Sequence, residues 1–216
     1  MKIDKNEQIN KIIYSPLLDI NPGWLFESKT LSNLALFGDW STNAELNQWF
    51  SLEKKLNLID ESAFSQPVLG IVLLPPSNLV TILNCIGSVL HAHNLASVIL
   101  KSQKTRVLNL IDKDIFDFSL NQGPYLLSQW PHHWILSLPE NLDEDYFLGY
   151  GIRFISTFFK QQNIIPSELL LYKLPPSSKK YFNEASLVHF DEEDIACHLI
   201  NKIIKRVLPE CLHLLK

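Results

Sequence analysis

Apolar residues recur at helical spacing through much of the second half of the chain. The longest run follows Pro75 and Pro76, where apolar residues stand three or four positions apart at Leu79, Ile82, Leu83, Ile86, Val89, Leu90, Leu95, Val98 and Ile99. Residues at this spacing share one face of an α-helix. The two prolines end whatever precedes them, and Ser77 or Asn78 can cap the helix that follows. The pattern therefore predicts a long amphipathic helix from Ser77 towards Lys101.

Three more segments have the same periodicity. One ends at Gly123 and Pro124, and its apolar residues are Val107, Leu108, Ile111, Ile115 and Phe118. The next follows Asp143, with an apolar face made of Phe147, Leu148, Ile152, Ile155, Phe158 and Phe159. The last runs from about Glu192 to His213, with inward positions at Ile195, Leu199, Ile203, Val207 and Leu208. Together these stripes predict a core made of packed helices.

The first 66 residues are less regular, because prolines and a glycine interrupt them. The stretch TNAELNQWFSLEKKL predicts one short helix, capped by Thr42 or Asn43. Two apolar stretches, QPVLGIVLLPP and SELLLYKLPP, are each short enough to be a strand, and the first also suits buried extended chain. We therefore predict a mainly α fold, one globular helical domain over residues 1–216 with room for a small strand pairing. Residues 1–66 form its less regular N-terminal part and residues 67–216 its helical core.

Composition and charge exclude several classes of protein. The chain has 216 residues, 46% of them hydrophobic and 19% charged, which is enough for one sizeable core. A net charge of −4 gives no electrostatic reason to bind nucleic acid, and seven glycines argue against a glycine-rich phosphate loop. No run approaches eighteen apolar residues, and the N-terminus MKIDKNEQIN is too charged to begin a secretory signal. We expect a cytoplasmic protein that does not insert into a membrane.

The potential metal ligands and nucleophiles stand at spacings that do not form a site. His91 and His93 would point about 200° apart on one continuous helix. A second group lies near the C-terminus, at Cys197, His198, Cys211 and His213. Neighbouring helical residues diverge by about 100°, so this group could meet only if the helix folded back. With Cys85 the chain has three widely spaced cysteines, which suit a reducing cytosol, and no catalytic motif occurs. We expect no catalytic residue, no metal and no cofactor.

The stretch SQWPHHWILSLPE, residues 128–140, combines two tryptophans, a proline and two adjacent histidines. We call it the aromatic corner. A metal site and an aromatic binding lip are both alternatives, although no third ligand is evident in the sequence near His132 and His133. We favour a structural interpretation, in which Trp130 and Trp134 close one end of the helical core and Pro131 shapes the turn.

An acidic segment follows the aromatic corner. From Asp114 to Ile152 the chain has six acidic residues and no lysine or arginine, and four of the six are Glu140, Asp143, Glu144 and Asp145. The simpler interpretation is a solvated helix start, where acidic residues complement the helix dipole. The alternative is a docking surface that attracts a basic partner.

Four stretches in order carry a resemblance to a known family. They are the helical segment LPPSNLVTILNCIGSVLHAHNLASVIL, the helix after it, the corner GPYLLSQWPHHW and the terminal CHLINKIIKRVLPECLHLLK. Over residues 67–216 the chain resembles the accessory K-subunit (SctK) family of the type III secretion sorting platform, which includes YscK and PscK. Residues 1–66 match less distinctly.

The resemblance implies a non-catalytic cytosolic adaptor that is monomeric in isolation. Members of the family bridge the cytoplasmic domain of the inner-membrane ring protein (SctD) and the pod protein (SctQ), and reach the L subunit (SctL) indirectly. Such an adaptor is recruited to the cytoplasmic face of the inner membrane through the injectisome. The candidate partner interface combines the exposed edge of the corner with the acidic segment, at Trp130, His132, His133, Glu140, Asp143, Glu144 and Asp145.

Two other functions stay open at this point. A type III secretion chaperone or regulator would bind unfolded effector segments, but such proteins are usually smaller, more acidic and dimeric. An unrecognised hydrolase or metal enzyme would need bound metal or a cleft with perturbed carboxylates.

Overall fold

The computed structural model describes residues 4–27, 29–59, 61–64, 68–96, 101–160 and 167–215. Within these residues the chain forms α-helices joined by 3₁₀ turns, and no strand occurs among them. The helices are α1 Lys5–Tyr14, α2 Trp24–Glu27, α3 Lys29–Ser32, α4 Ala44–Glu53, α5 Pro76–Leu90, α6 Ala92–Leu95, α7 Lys101–Leu108, α8 Lys113–Asn121, α9 Tyr146–Lys160, α10 Ser167–Tyr172, α11 Lys179–Asn183 and α12 Glu193–Val207. The predicted mainly α fold is confirmed.

Both stretches that could have been strands are helical. Leu69–Leu73 is a fully buried 3₁₀ turn, and the second stretch forms α10. The 3₁₀ turn at Pro209–Leu215 packs against Leu69–Leu73, which places the C-terminus of the described chain against the beginning of the core. Burial from several sides, rather than pairing with another strand, accounts for the uninterrupted apolar character of these stretches.

The centre of the fold is the crossing of α5 and α9. The predicted stripe of α5 is fully buried at Ile82 and Ile86, and the stripe of α9 is fully buried at Ile152 and Ile155. α8 and α12 pack on α5, and α11 packs on α9. The two central helices therefore form a common core that the remaining helices cover.

The central helices touch backbone to backbone because each has a glycine at the contact. A Cβ atom on Gly87 would lie 1.9 Å from the Phe147 carbonyl oxygen, and one on Gly151 would lie 2.1 Å from the Leu83 carbonyl oxygen. A side chain of any size would hold the helices further apart. These glycines therefore set the distance between α5 and α9.

The structure divides the predicted long helices. α5 begins at Pro76 rather than Ser77, and no side chain caps it. The backbone N–H of the first helical residue has no partner within the helix, so proline, which lacks this N–H, is well suited to the position. It ends at Leu90, and α6 follows as a separate short helix. The predicted continuation through Val98 and Ile99 lies outside the described residues. The next predicted helix is divided into α7 and α8 by residues 109–112.

The last predicted helix is shorter than its apolar pattern suggested. α12 ends at Val207 and a 3₁₀ turn follows from Pro209, because proline cannot donate the next helical hydrogen bond. The prediction that Ile195 points inward is wrong, since its side chain is 39% exposed. Ile195 lies about 100° around the helix from the buried Ala196, at the edge of the stripe that enters the core.

The N-terminal part is folded against α10. The indole Nε1 of Trp24 donates to the Leu174 carbonyl at 2.8 Å, and the backbone N–H of Asn21 donates to the Tyr172 carbonyl at 2.7 Å. Lys173 is buried and its ammonium donates to the Asp19 carboxylate at 2.9 Å. The predicted helix α4 is confirmed, with the Asn43 side chain as its cap. Residues 1–66 are thus held on the core through their described elements.

Replacement of Ile86 by alanine tests the central stripe. The side chain is fully buried, so we expect Ile86→Ala to lower the free energy of unfolding by about 2–5 kcal/mol, as other large-to-small core changes do. The control is Leu58→Ala, at a position 74% exposed, which should change stability by less than about 0.5 kcal/mol. Urea denaturation followed by circular dichroism measures both. An unchanged midpoint for Ile86→Ala would mean that the stripe does not support the core.

Candidate docking surfaces

The aromatic corner is fixed to the core by its second tryptophan. Trp134 is completely buried, donates from Nε1 to the Leu187 carbonyl at 3.0 Å and packs edge-on against Phe154. Trp130 is half-buried and donates from Nε1 to the Pro124 carbonyl at 3.1 Å. The structural interpretation of the corner agrees with this arrangement, because both indole N–H groups are bonded and both rings cover apolar residues.

The histidines of the corner lie on its outer side. His132 and His133 are both exposed, and the Nε2 of His133 donates to a Glu192 carboxylate oxygen at 3.1 Å. The ring of His133 also lies beside that of His189, with 4.7 Å between ring centroids. The sequence shows no partner for His133 nearby, whereas the fold brings two from more than fifty positions further along the chain.

The acidic segment is partly neutralised by local partners. Asp145 is half-buried and accepts a hydrogen bond from the Ser177 hydroxyl at 2.7 Å, and Asp143 lies 3.8 Å from the Lys180 ammonium. Within the part of the chain that the structure describes, the carboxylates of Glu140 and Glu144 make no such contact. Asp145 therefore supports the fold, while Glu140, Asp143 and Glu144 form the exposed acidic surface.

Arg106 positions the start of this segment. Its guanidinium donates to the Glu140 backbone carbonyl at 3.0 Å, which leaves the Glu140 side chain exposed. No hydrogen bond or ion pair among the described residues joins the acidic surface to Trp130, His132 or His133. Polar contacts therefore do not join the two parts of the predicted interface.

A second acidic group escaped the sequence analysis because it coincides with a helix start. Asp191, Glu192, Glu193 and Asp194 precede or begin α12, and Phe190 just before them is 78% exposed. The stretch FDEED, an aromatic residue directly before four acids, is the sequence signal that could have identified this surface. It continues the outer side of the aromatic corner through the contact between His133 and Glu192.

A surface of different chemistry lies in the N-terminal part. Most of the large apolar side chains that are exposed among the described residues belong to it, at Tyr14, Leu18, Phe26, Leu36, Phe37, Trp49, Leu52 and Leu58. Phe26 and Leu36 are more than four-fifths exposed. We call these eight residues the N-terminal apolar surface. Sequence periodicity missed it because its residues lie on several short elements, none of which has a long stripe.

The buried histidine His91 has structural partners on both ring nitrogens. Burial lowers the pKa of His91 to about 4, so the ring is neutral, donates from Nδ1 to the Gly87 carbonyl at 2.7 Å and accepts from the Tyr146 hydroxyl at Nε2. His93 is exposed, and its ring lies edge-on to that of Trp130 with 6.0 Å between centroids. Burial raises the pKa of Cys197 to about 11, which keeps its thiol protonated and weakly nucleophilic.

One open cleft of about 580 Å³ lies between α5, α8 and α12. Its lining combines acidic and basic side chains, Asp112, Lys113 and Arg206 among them, with the apolar residues Ile115 and Phe118. Its described lining residues include no histidine or cysteine. We therefore assign no reaction to this cleft.

Among the described residues, no helix is both long enough and apolar enough to cross a lipid bilayer.

The family model for YOP proteins translocation protein K (YscK) matches residues 12–216. The chain belongs to this family. The match is wider than the resemblance that the sequence suggested, because it includes most of the N-terminal part.

Relatives in the YscK family cover most of the chain. The Yop proteins translocation protein K of Yersinia pseudotuberculosis serotype I is 27% identical over 186 residues, which make up 86% of each protein. The corresponding protein of Yersinia enterocolitica is 26% identical over the same length. The solved cytoplasmic domain of the type III secretion sorting platform protein PscK from P. aeruginosa matches with a TM-score of 0.62 and 25% identity, over 99% of both chains. The family is thus that of type III secretion protein K, and one solved relative is a sorting-platform protein.

Proposed function

We propose that this chain is a non-catalytic adaptor of the type III secretion sorting platform, which links the cytoplasmic domain of the ring protein (SctD) to the pod protein (SctQ). It acts in the cytoplasm as a monomer before assembly, is recruited to the inner membrane through the injectisome and reaches SctL only through the pod. Membership of the YscK family and the likeness to the sorting-platform protein PscK support this role.

The observation that carries the proposal is the presence of two exposed surfaces of different chemistry. An adaptor needs two separate contacts, and an acidic surface differs from an apolar one in the partner that it selects. The acidic surface lies before α9, whereas the N-terminal apolar surface belongs to elements that pack against α10 and the Leu69–Leu73 turn. We propose that each surface takes its own partner.

The chemistry also indicates which partner each surface takes. The exposed carboxylates of Glu140, Asp143 and Glu144 attract a basic surface, which we assign to the ring protein. The N-terminal apolar surface would hold its partner mainly by burial, and we assign this partner to the pod protein.

Charge reversal tests the first assignment. The triple variant Glu140→Lys, Asp143→Lys and Glu144→Lys leaves Asp145 and its bond to Ser177 in place. We expect association with the purified SctD cytoplasmic domain to slow by about tenfold at low salt and to lose most of its salt dependence, while SctQ binding stays the same. Biolayer interferometry at low and moderate salt measures both.

The matched control reverses three other exposed acids, at Asp112, Asp114 and Glu210, and so has the same net charge. It should bind SctD at nearly the wild-type rate if position rather than total charge matters.

For the second assignment, Phe26→Ser with Leu36→Ser should weaken SctQ binding and leave SctD binding unchanged. Unaltered affinity of both variants for both partners would contradict the two surface assignments, and a wild-type protein that binds neither partner would contradict the adaptor. A stable dimer in light scattering would favour the chaperone instead.

A further inference from the structure

Three side chains from two distant parts of the chain converge outside the aromatic corner. They are His133, His189 and Glu192, and their ligand atoms, two imidazole nitrogens and a carboxylate oxygen, all lie within 4.8 Å of one another. The sequence predicted no metal at His132 and His133 because no third ligand was evident nearby. The fold brings two further potential ligands to His133, so the lack of a nearby ligand in the sequence no longer argues against a metal site.

Buried contacts fix the backbone next to His133 and next to His189. On one side Trp134, next to His133, is buried and bonded to the Leu187 carbonyl. On the other side the Thr157 hydroxyl donates to the Val188 carbonyl at 3.1 Å. Both segments are thus fixed to α9 and to each other before any ligand binds, and such preorganisation lowers the entropic cost of binding.

The carboxylate has an oxygen available for a ligand. The contact with His133 and the bond from the backbone N–H of His189 both fall on Oε2 of Glu192, at 3.1 and 3.0 Å. Oε1 belongs to neither contact. The Glu192 side chain is 15% exposed and that of His133 is 41% exposed, so an ion can reach the group from solvent.

The geometry points to a divalent metal site formed by His133, His189 and Glu192, with Zn²⁺ as the bound ion. Two imidazoles and one carboxylate form a donor set that suits Zn²⁺ and neighbouring transition ions, and the fourth position stays open to water or to a partner's side chain. Because two of these three donors are nitrogens, the site disfavours Mg²⁺ and Ca²⁺, which prefer oxygen donors. The adjacent acids Asp191 and Asp194 add a negative field that attracts a cation. The bound ion would tie the aromatic corner to the start of α12.

Titration of the tag-free protein with Zn²⁺ tests the site. Isothermal calorimetry should show saturable binding of one ion per chain, which His133→Gln and His189→Gln each abolish. His132→Gln is the matched control, because His132 is the neighbouring exposed histidine and does not belong to the group, and it should bind like the wild type. A large excess of Mg²⁺ should not compete. In NMR spectra Zn²⁺ should shift the ring signals of His133 and His189 and leave those of His132 unchanged.

Three results would overturn the inference. They are no saturable zinc binding by the wild type, binding that survives His133→Gln and His189→Gln together, and equal loss of binding in His132→Gln. Circular dichroism of each variant separates loss of a ligand from loss of fold. The inference does not rest on the proposed adaptor role, since a protein that bound neither SctD nor SctQ could still bind zinc at this group.

Discussion

Gly87→Ala is expected to lower the free energy of unfolding by about 3 kcal/mol, or to prevent folding. The new methyl group would lie 1.9 Å from the carbonyl oxygen of Phe147, which belongs to the backbone of α9 and cannot rotate away. α5 and α9 would have to separate, and the fully buried residues on both helices would lose contact. Overpacking of a core typically costs about 1–3 kcal/mol, and a clash with backbone falls at or above the upper end.

Helix propensity alone predicts the opposite sign. Alanine is favoured over glycine in a helix interior by about 1 kcal/mol, so a solvent-exposed glycine in α5 would be improved by the same change. The clash is larger than this gain and decides the outcome. Gly151→Ala should behave like Gly87→Ala, because its methyl group would meet the Leu83 carbonyl at 2.1 Å.

Gly38→Ala is the matched control. A Cβ atom there would meet no atom within 4 Å, and the backbone does not have a positive φ. Its stability should stay within about 0.5 kcal/mol of the wild type, with urea denaturation as the measurement. If Gly87→Ala proved as stable as Gly38→Ala, the close approach of α5 and α9 would be incorrect.

Asp19→Ala is expected to destabilise the protein by about 3–5 kcal/mol. Lys173 is almost completely buried, and its ammonium donates to Asp19 at 2.9 Å and to the Leu74 carbonyl at 3.0 Å. Removal of one member of a buried ion pair leaves the other charge without compensation, which is the costly case. Lys11 also contacts Asp19, at 2.6 Å, but its side chain is 31% exposed and can be solvated.

A more exposed ion pair provides the control. Lys54, which follows α4, and Glu168 of α10 form an ion pair at 2.6 Å, with Glu168 more than half exposed. Glu168→Ala should cost no more than about 1 kcal/mol. The double variant Asp19→Leu with Lys173→Met should recover part of the loss of Asp19→Ala, since it buries no lone charge. Equal stability of Asp19→Ala and Glu168→Ala would contradict the burial of this pair.

The pair also makes stability depend on pH at the acidic end. Burial by itself would raise the pKa of the Asp19 carboxyl, but Lys173 and Lys11 outweigh it, so the pKa lies below its ordinary value of 3.8. The carboxylate therefore contributes stability that is fully present above pH 3.8 and is lost as the pH falls through the lower pKa of the folded state. Asp19→Asn removes this contribution, so its stability should decline less steeply below pH 4.

This ion pair connects stability with the proposed function. Asp19 belongs to the N-terminal part and Lys173 follows α10, so the pair helps to dock the N-terminal apolar surface on the core. A variant that loses the pair should lose SctQ binding together with stability. The charge-reversed variant of the acidic surface should lose SctD binding while its unfolding midpoint stays the same.

The sequence by itself determined the helical class, the family resemblance and most of the core. Apolar residues three and four positions apart identify one buried face wherever the helix forms, and this spacing placed Ile82, Ile86, Ile152 and Ile155 in the core. The cap of α4 at Asn43 and the position of α9 also depend on residues close together in the chain. Such signals can be read locally because helical hydrogen bonds and caps join residues within a few positions.

Only the tertiary structure decided the contacts between distant residues. Asp19 meets Lys173 across 154 positions, and His133 meets Glu192 across 59. The close approach at Gly87 and the exposure of eight large apolar residues in the N-terminal part likewise depend on how elements pack. A lysine, a histidine or a glycine has the same appearance in a sequence whether it is solvated or buried. Its partner is chosen by the packing of whole helices, which no local spacing specifies.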